Sequence, residues 1–329
     1  MDGRSVVCYA DDTTFYDHGH GVDVLRAEML ETRLFATDWF SANLFLLNDD
    51  KTQSIIFSLR NGDEYDFFPV KLLGFVLDRK LSWADHIEAV CCRLSRVVFL
   101  LRKLKSCIPA SYIKVCYFCF FQSIVLYGLT LWGGATDVSR LLLIQKRALM
   151  ILCGAERLAH CRPLFVRERI LRVFSLYVLQ TLCRTHANVG ELVTRQNFHP
   201  HETRGRQRLD VPYQRLSRTR SSYGHLSVRL FNKLPVMARN LPAGKFRRVL
   251  RDLLLDNPLY SLREFFMLDS SLVMRIGRNV PEAEQDRNWP CPSLCEILQQ
   301  AANSKRPVDQ AIQGRTEGIA GGEPIVFHQ

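Results

Sequence analysis

The sequence predicts an α+β protein in which a short β-containing block is followed by a long helical region. Three observations carry that prediction. At the amino end, β-branched and aromatic residues flank an acidic turn: Ser5-Val6-Val7-Cys8-Tyr9, then Ala10-Asp11-Asp12, then Thr13-Thr14-Phe15-Tyr16. From Leu81 onward, apolar residues recur at helical spacing. The chain of 329 residues is 47% hydrophobic and 23% charged, enough apolar surface for one large or two ordinary domains, which excludes wholesale disorder.

Taken in order, the acidic turn and its arms form a hairpin. A helix is expected from about Val22 to Leu44, where Leu25, Met29, Ala36, Trp39 and Phe40 share helical spacing and Asn48-Asp49-Asp50 makes a polar break. Gln53–Ser58 reads as a strand, Asn61-Gly62-Asp63 as a turn, and Val70–Leu77 as another strand. Residues 1–80 thus form the first block.

The helical region, 81–190, opens at Ser82-Trp83-Ala84-Asp85, whose hydroxyl can cap a helix and whose acid suits its positive end. Ile87, Val90, Leu94, Val97, Leu101 and Leu104 mark its apolar stripe, while Arg93, Arg96, Arg102, Lys103 and Lys105 leave another face basic. A second helix is expected from Pro109 to about Trp132, ended by Gly133-Gly134. A third runs from Thr136-Asp137 to Gly154, carrying Arg140, Lys146 and Arg147, and a fourth from Pro163 toward Ala187. Taken alone, such basic faces are ordinary solvated helix surface.

Residues 191–229 read as an exposed basic linker, because Arg204, Arg206, Arg208, Arg215, Arg218, Arg220 and Arg229 outnumber Glu202 and Asp210. Short helices punctuated by Leu234-Pro235 and Leu241-Pro242 are expected over 230–266. The polar, weakly patterned residues 267–329 are expected to be loose.

Composition narrows the function classes. Forty-four Lys and Arg against 33 Asp and Glu give a net charge of +11. That balance favours a polyanionic partner, bound through phosphate contacts and counterion release. The 11 cysteines sit mostly inside apolar runs (Cys91, Cys92, Cys107, Cys116, Cys119, Cys153, Cys183), which points to packed free thiols and a reducing, intracellular setting. Cys116-x-x-Cys119 has redox or zinc spacing but no second ligand pair near it, and Cys291 and Cys295 lack a histidine at zinc-knuckle distance. The amino terminus lacks a signal-like apolar region. Val115–Thr136 is uncharged and long enough for a membrane span, but Gln122, Ser123, Tyr127, Gly128 and Thr130 make it a buried core helix on this reading.

The sharpest chemical feature is Asp11 and Asp12 at a hairpin tip, a rigid place for carboxylates that hold Mg2+ against phosphates. Asp-Asp in a turn is by itself common turn chemistry. The larger pattern is similar to the reverse transcriptases of non-LTR (LINE-like, jockey-type) retrotransposons, over roughly residues 4 to 266. Tyr9-Ala10-Asp11-Asp12 resembles their palm signature, and Leu47-Asn48-Asp49-Asp50-Lys51-Thr52-Gln53 the next palm motif. Val70-Lys71-Leu72-Leu73-Gly74-Phe75 resembles the primer-grip hairpin, and Leu81-Ser82-Trp83-Ala84-Asp85-His86-Ile87 a phrase frequent in these elements. Tyr127-Gly128, Trp132-Gly133 and Gln145-Lys146-Arg147-Ala148 resemble the thumb helices, and Asn232-Lys233-Leu234-Pro235 with Phe246 the tail.

The resemblance implies a partial polymerase palm followed by a helical thumb, acting by two-metal nucleotidyl transfer with Mg2+ or Mn2+ on an RNA template and DNA primer. It implies that Asp11 and Asp12 are the metal-binding acids and that Lys51 donates a proton or charge to the leaving pyrophosphate. Lys51 as a plain surface-turn lysine is the alternative. Tyr9 lies near the nucleotide or primer terminus, and Lys71, Leu73 and Gly74 hold the primer end. Arg93, Arg96, Lys146 and Arg147 follow the duplex backbone. The family's metal site also needs an aspartate upstream of the hairpin, where this sequence offers only Asp2 in another context, so the chain alone is expected not to polymerise. Alternatives are a non-catalytic nucleic-acid-binding remnant, a degraded transposon product, or a membrane-associated protein.

Overall fold

A computed structural model describes residues 5–10, 12–19, 21–58, 68–156, 159–197, 207–216 and 219–269. Within them the chain is mixed α and β, mostly helical, with two separate two-stranded antiparallel sheets. The expected turn at Asn61-Gly62-Asp63, the loose tail beyond Asp269, Cys291 and Cys295 lie outside the described residues.

Strands β1 (Ser5–Tyr9) and β2 (Asp12–Tyr16) pair with Ser5 opposite Tyr16 and Tyr9 opposite Asp12, so the reversal occupies two residues. Ala10 takes φ 53°, the left-handed conformation that tight hairpin turns require. Helix α1 (Val22–Ala42) follows as expected, but it buries only Thr32 and Ala36. Val24, Leu30, Leu34, Trp39 and, just beyond, Phe45 and Leu46 stay exposed.

Residues 53–58, expected as a strand, pair with no strand among the described residues; they are tied to the next hairpin by single bonds. Gln53 Oε1 accepts from Lys71 N at 3.2 Å, and Ser58 N donates to Arg79 O at 3.2 Å. The expected single strand over Val70–Leu77 is instead a hairpin, β3 (Val70–Leu72) with β4 (Phe75–Leu77). Leu73 (φ 48°) and Gly74 (φ 79°) supply the turn, both in the left-handed region that matches the twist of flanking strands.

Asp78 organises the entry to the helical region. Its carboxylate accepts from the backbone N–H of Lys80, Ser82 and Trp83 at 3.0, 3.0 and 2.9 Å, and from the Ser82 hydroxyl at 3.1 Å. Those bonds hold Leu81 (φ 48°) and Trp83 (φ 65°) in positive-φ conformations that neither residue favours. Helix α2 (Ala84–Leu104) therefore starts after Trp83, two residues later than a Ser82 cap implies, although Ser82 Oγ still accepts from Ala84 N at 3.3 Å.

The apolar stripe of α2 is buried at Ile87, Val90, Leu94 and Leu101, with Val98 and Cys91 added, and the basic face is exposed. Its long partner is α6 (Val138–Cys153), closed by Gly154 at φ 63°. Between them, the second expected helix is interrupted. Short α3 (Ala110–Cys116) passes into a π-helical turn (Tyr117–Gln122), then α4 (Ser123–Leu126), and the chain breaks at Tyr127-Gly128 before α5 (Leu129–Trp132). The uncharged segment thus folds as a broken, partly buried connection, and no helix among the described residues is long and apolar enough to cross a membrane.

The fourth expected helix also divides, into α7 (Cys161–Arg167) and α8 (Val173–Ala187), with Arg169 at φ 49° in the break. Helix α8 is buried on nearly every side, the pattern of a helix at the centre of a bundle. It packs against α5, α6, α9 (Tyr223–Lys233) and α11 (Ala243–Asp256). Helices α10 (Val236–Arg239) and α12 (Leu262–Met267) complete the bundle. The segment expected as a linker contributes to this core: Leu209 is buried, Asn232 clamps its backbone with bonds of 2.9 and 2.8 Å, and α9 begins inside the stretch.

Candidate nucleic-acid interface

The sequence-derived candidates fall at four places. Tyr9 and Asp12 face one another across the tip of the first hairpin, and both are exposed. Asp11 lies outside the described residues. A Mg2+ site needs several oxygen ligands converging on one point. Among the described residues no group of three or more His, Cys, Asp or Glu converges, and Asp12 alone does not make such a site. No hydrogen bond or ion pair among the described residues joins this hairpin to the helical bundle.

Lys51 sits exposed in a turn built by Asn48, whose carbonyl and side-chain oxygens accept from Lys51 N at 3.2 and 3.1 Å. That turn is pinned to α1 by the Arg33–Asp49 ion pair at 3.0 Å. The local geometry is that of a surface turn, with the ammonium turned to solvent.

The second hairpin is the best-built of the four places. Tyr127 Oη donates to Leu73 O at 2.5 Å, and the Tyr127 ring stacks on Phe75 with centroids 5.0 Å apart and planes 12° from parallel. Gly128 takes φ 58° directly beneath: a Cβ there would lie 2.3 Å from two Phe75 ring atoms. Phe75 also meets Trp83 edge-on at 6.3 Å and His86 at 5.4 Å. His86 is buried and its Nδ1 accepts from Val76 N at 3.3 Å, so that nitrogen is unprotonated. Burial, and secondarily the Arg93 charge, hold its pKa below the ordinary histidine value. Lys71, Leu73 and Gly74 are thereby presented, exposed, on a turn whose strained backbone is fixed from below.

The cations on the helices divide. Arg93 and Arg96 are exposed on α2. Lys146 and Arg147, adjacent in sequence, diverge. The Lys146 ammonium is 4.8 Å from the Tyr260 ring centroid, in a cluster that includes Arg162 at 4.9 Å and Arg172 at 3.7 Å. Arg172 is fully buried; its Nη1 donates to Pro258 O at 2.9 Å and its guanidinium also faces Phe165 at 4.6 Å. Burial pushes its pKa down to about 10, which leaves it charged near neutrality. Lys146 is thus half-buried in a packing arrangement, whereas Arg147 turns to the α2 side, where it meets Arg102 and Lys105 around a cleft. Arg102 and Lys105 belong to the basic face legible in sequence, but their convergence with Arg147 depends on how α2 and α6 pack.

Cys116 and Cys119 form no disulfide and are half-buried, and burial raises the Cys116 pKa, as it does for Cys91, Cys153 and Cys183. Compared with models of known families, with curated proteins and with solved structures, the chain matches none.

Proposed function

We propose that this chain carries the palm end and thumb of an RNA-directed DNA polymerase of the non-LTR retrotransposon kind, and that it grips nucleic acid without polymerising by itself. The observation that carries the reading is Tyr9-Ala10-Asp11-Asp12 spanning the reversal of a tight antiparallel hairpin. It is supported by a second hairpin, β3–β4, braced on a helical bundle with basic outer faces. In that reading Asp11 and Asp12 are the metal-binding acids, and Lys71, Leu73 and Gly74 form a rigid rest for a primer end. A non-catalytic nucleic-acid-binding remnant is the second reading, in which the exposed basic faces of the helices still grip nucleic acid.

The test uses the full chain with an RNA template annealed to a DNA primer. Binding is expected to weaken steeply as salt rises, as counterion release requires, and to be unchanged by Asp11→Ala. Primer extension with Mg2+ or Mn2+ is expected to yield no product. Asp11-dependent synthesis would overturn the prediction of inactivity. Absence of binding at about 50 mM salt, where phosphate contacts are least screened, would remove the nucleic-acid reading altogether.

A further inference from the structure

At the carboxyl ends of α2 and α6 the seam between the helices opens into a cleft of about 720 Å3, with Arg102, Lys105 and Arg147 over a floor of Met150 and Ile151. It continues past Arg102 and Arg147 into a smaller cavity of about 160 Å3 beside Phe99 and Ile144. Among the described residues no Asp or Glu lines either part. None of the three cations has an ion-pair partner among the described residues. The Lys105 ammonium instead reaches across to Gly154, 3.1 Å from where a Cβ would stand. Folded surfaces ordinarily intersperse charges of both signs, because converging like charges repel. The two helix carboxyl ends offset part of that repulsion through their dipoles. A polyanion would offset the remainder.

The dimensions say which polyanion. From Ser95 to Lys105 the groove follows α2 for roughly 15 Å at 1.5 Å per residue, the length of about four stacked nucleotides at 3.4 Å each. Phe99 is 58% exposed at one end, with the Lys103 ammonium 5.6 Å from its ring. An aromatic face beside cations takes up an unpaired base, while in a duplex the base faces are already stacked on each other. The cleft is also separate from the β3–β4 hairpin, which packs at the other end of α2: sixteen residues from His86 to Arg102 make about 24 Å.

We propose that this cleft is a binding groove for single-stranded nucleic acid about four nucleotides long, in which Arg102, Lys105 and Arg147 take phosphates and Phe99 stacks a base. The partner class rests on the nucleic-acid reading above; the location and strandedness do not rest on polymerase activity.

The experiment measures fluorescence anisotropy of a labelled oligo-dT with the full chain over a range of salt concentrations. The variant Arg102→Gln/Lys105→Gln/Arg147→Gln is expected to bind at least tenfold more weakly. The slope of log affinity against log salt is expected to fall by about 2, from 0.7 per lost phosphate contact. Phe99→Ala is expected to lose about fivefold or more with its slope unchanged. A control that removes three exposed cations elsewhere, Arg195→Gln/Arg247→Gln/Arg263→Gln, is expected to change affinity less than twofold. All substituted side chains are exposed, and circular dichroism melts confirm that each variant folds. Equal losses in the cleft and control variants overturn the site while leaving general nucleic-acid binding intact. A duplex that binds as tightly and depends equally on Phe99 overturns the single-strand assignment. No binding by the unaltered chain overturns both this proposal and the nucleic-acid reading.

Discussion

At the scale of single residues, three buried or close-packed positions make the clearest commitments. Gly128 combines a left-handed backbone with contact distance to Phe75, so Gly128→Ala adds both backbone strain and overpacking. A loss of roughly 2–4 kcal/mol in urea unfolding is expected. Gln145 is fully buried and makes three bonds: its Nε2 donates to Tyr117 Oη (2.8 Å) and Leu171 O (2.9 Å), and its Oε1 accepts from Val173 N (3.0 Å). Gln145→Leu keeps the volume but strands those partners in the core, and about 3 kcal/mol or more should be lost, since each unmet buried group costs roughly 1–3 kcal/mol. An unchanged urea midpoint in either variant would contradict the packing described.

His86 gives the pH dependence its sign. Its folded pKa lies below the ordinary 6.5, so below that value the unfolded chain takes up a proton that the folded chain resists. The stability associated with the neutral ring is therefore full above 6.5 and declines as pH falls through it. Protonation would also remove the acceptor for Val76 N. A lower urea midpoint at about pH 5.5 than at pH 7.5 is expected, with a smaller difference in His86→Gln; equal pH dependence in the two proteins would assign the effect to other groups.

At the scale of elements, the block before residue 59 and the bundle after residue 80 differ in kind. Helix α1 has 21 residues and buries two of them, while α8 has 15 and buries ten. Helical hydrogen bonds alone stabilise an isolated helix marginally, so α1 and the first hairpin open easily compared with a helix at the bundle centre. Within residues 5–266, limited proteolysis should cut first in 43–58, between α1 and the second hairpin, and leave a resistant fragment containing α2 through α12. First cleavage inside α6 or α8 would refute that order. Leu30, Leu34, Trp39 and Phe45 leave large apolar side chains exposed on this block.

At the scale of the whole molecule, the hairpin tip, the α1 helix, the apolar stripe of α2 and the end of α6 at Gly154 were legible in the sequence because each is local. Alternation around a tight turn, a period of 3.6 and a glycine stop are read within a dozen residues. The same reading took Val70–Leu77 as one strand and 109–132 as one helix, because the features that break them act through space. The Leu73-Gly74 turn is stabilised by Tyr127 from another element, and the chain breaks at Gly128 because Phe75 fills the room a side chain would need. Arg172 is enclosed by Tyr260 and Pro258 from far along the chain and by Phe165 from the preceding helix. The sequence by itself determined the mixed class, the positive charge and the order of motifs, since composition and period are properties of the string. Only the tertiary structure decided that Lys146 turns inward while Arg147 joins Arg102 and Lys105, because neighbouring residues on a helix point about 100° apart and the packing of α2 on α6 selects which one faces the cleft.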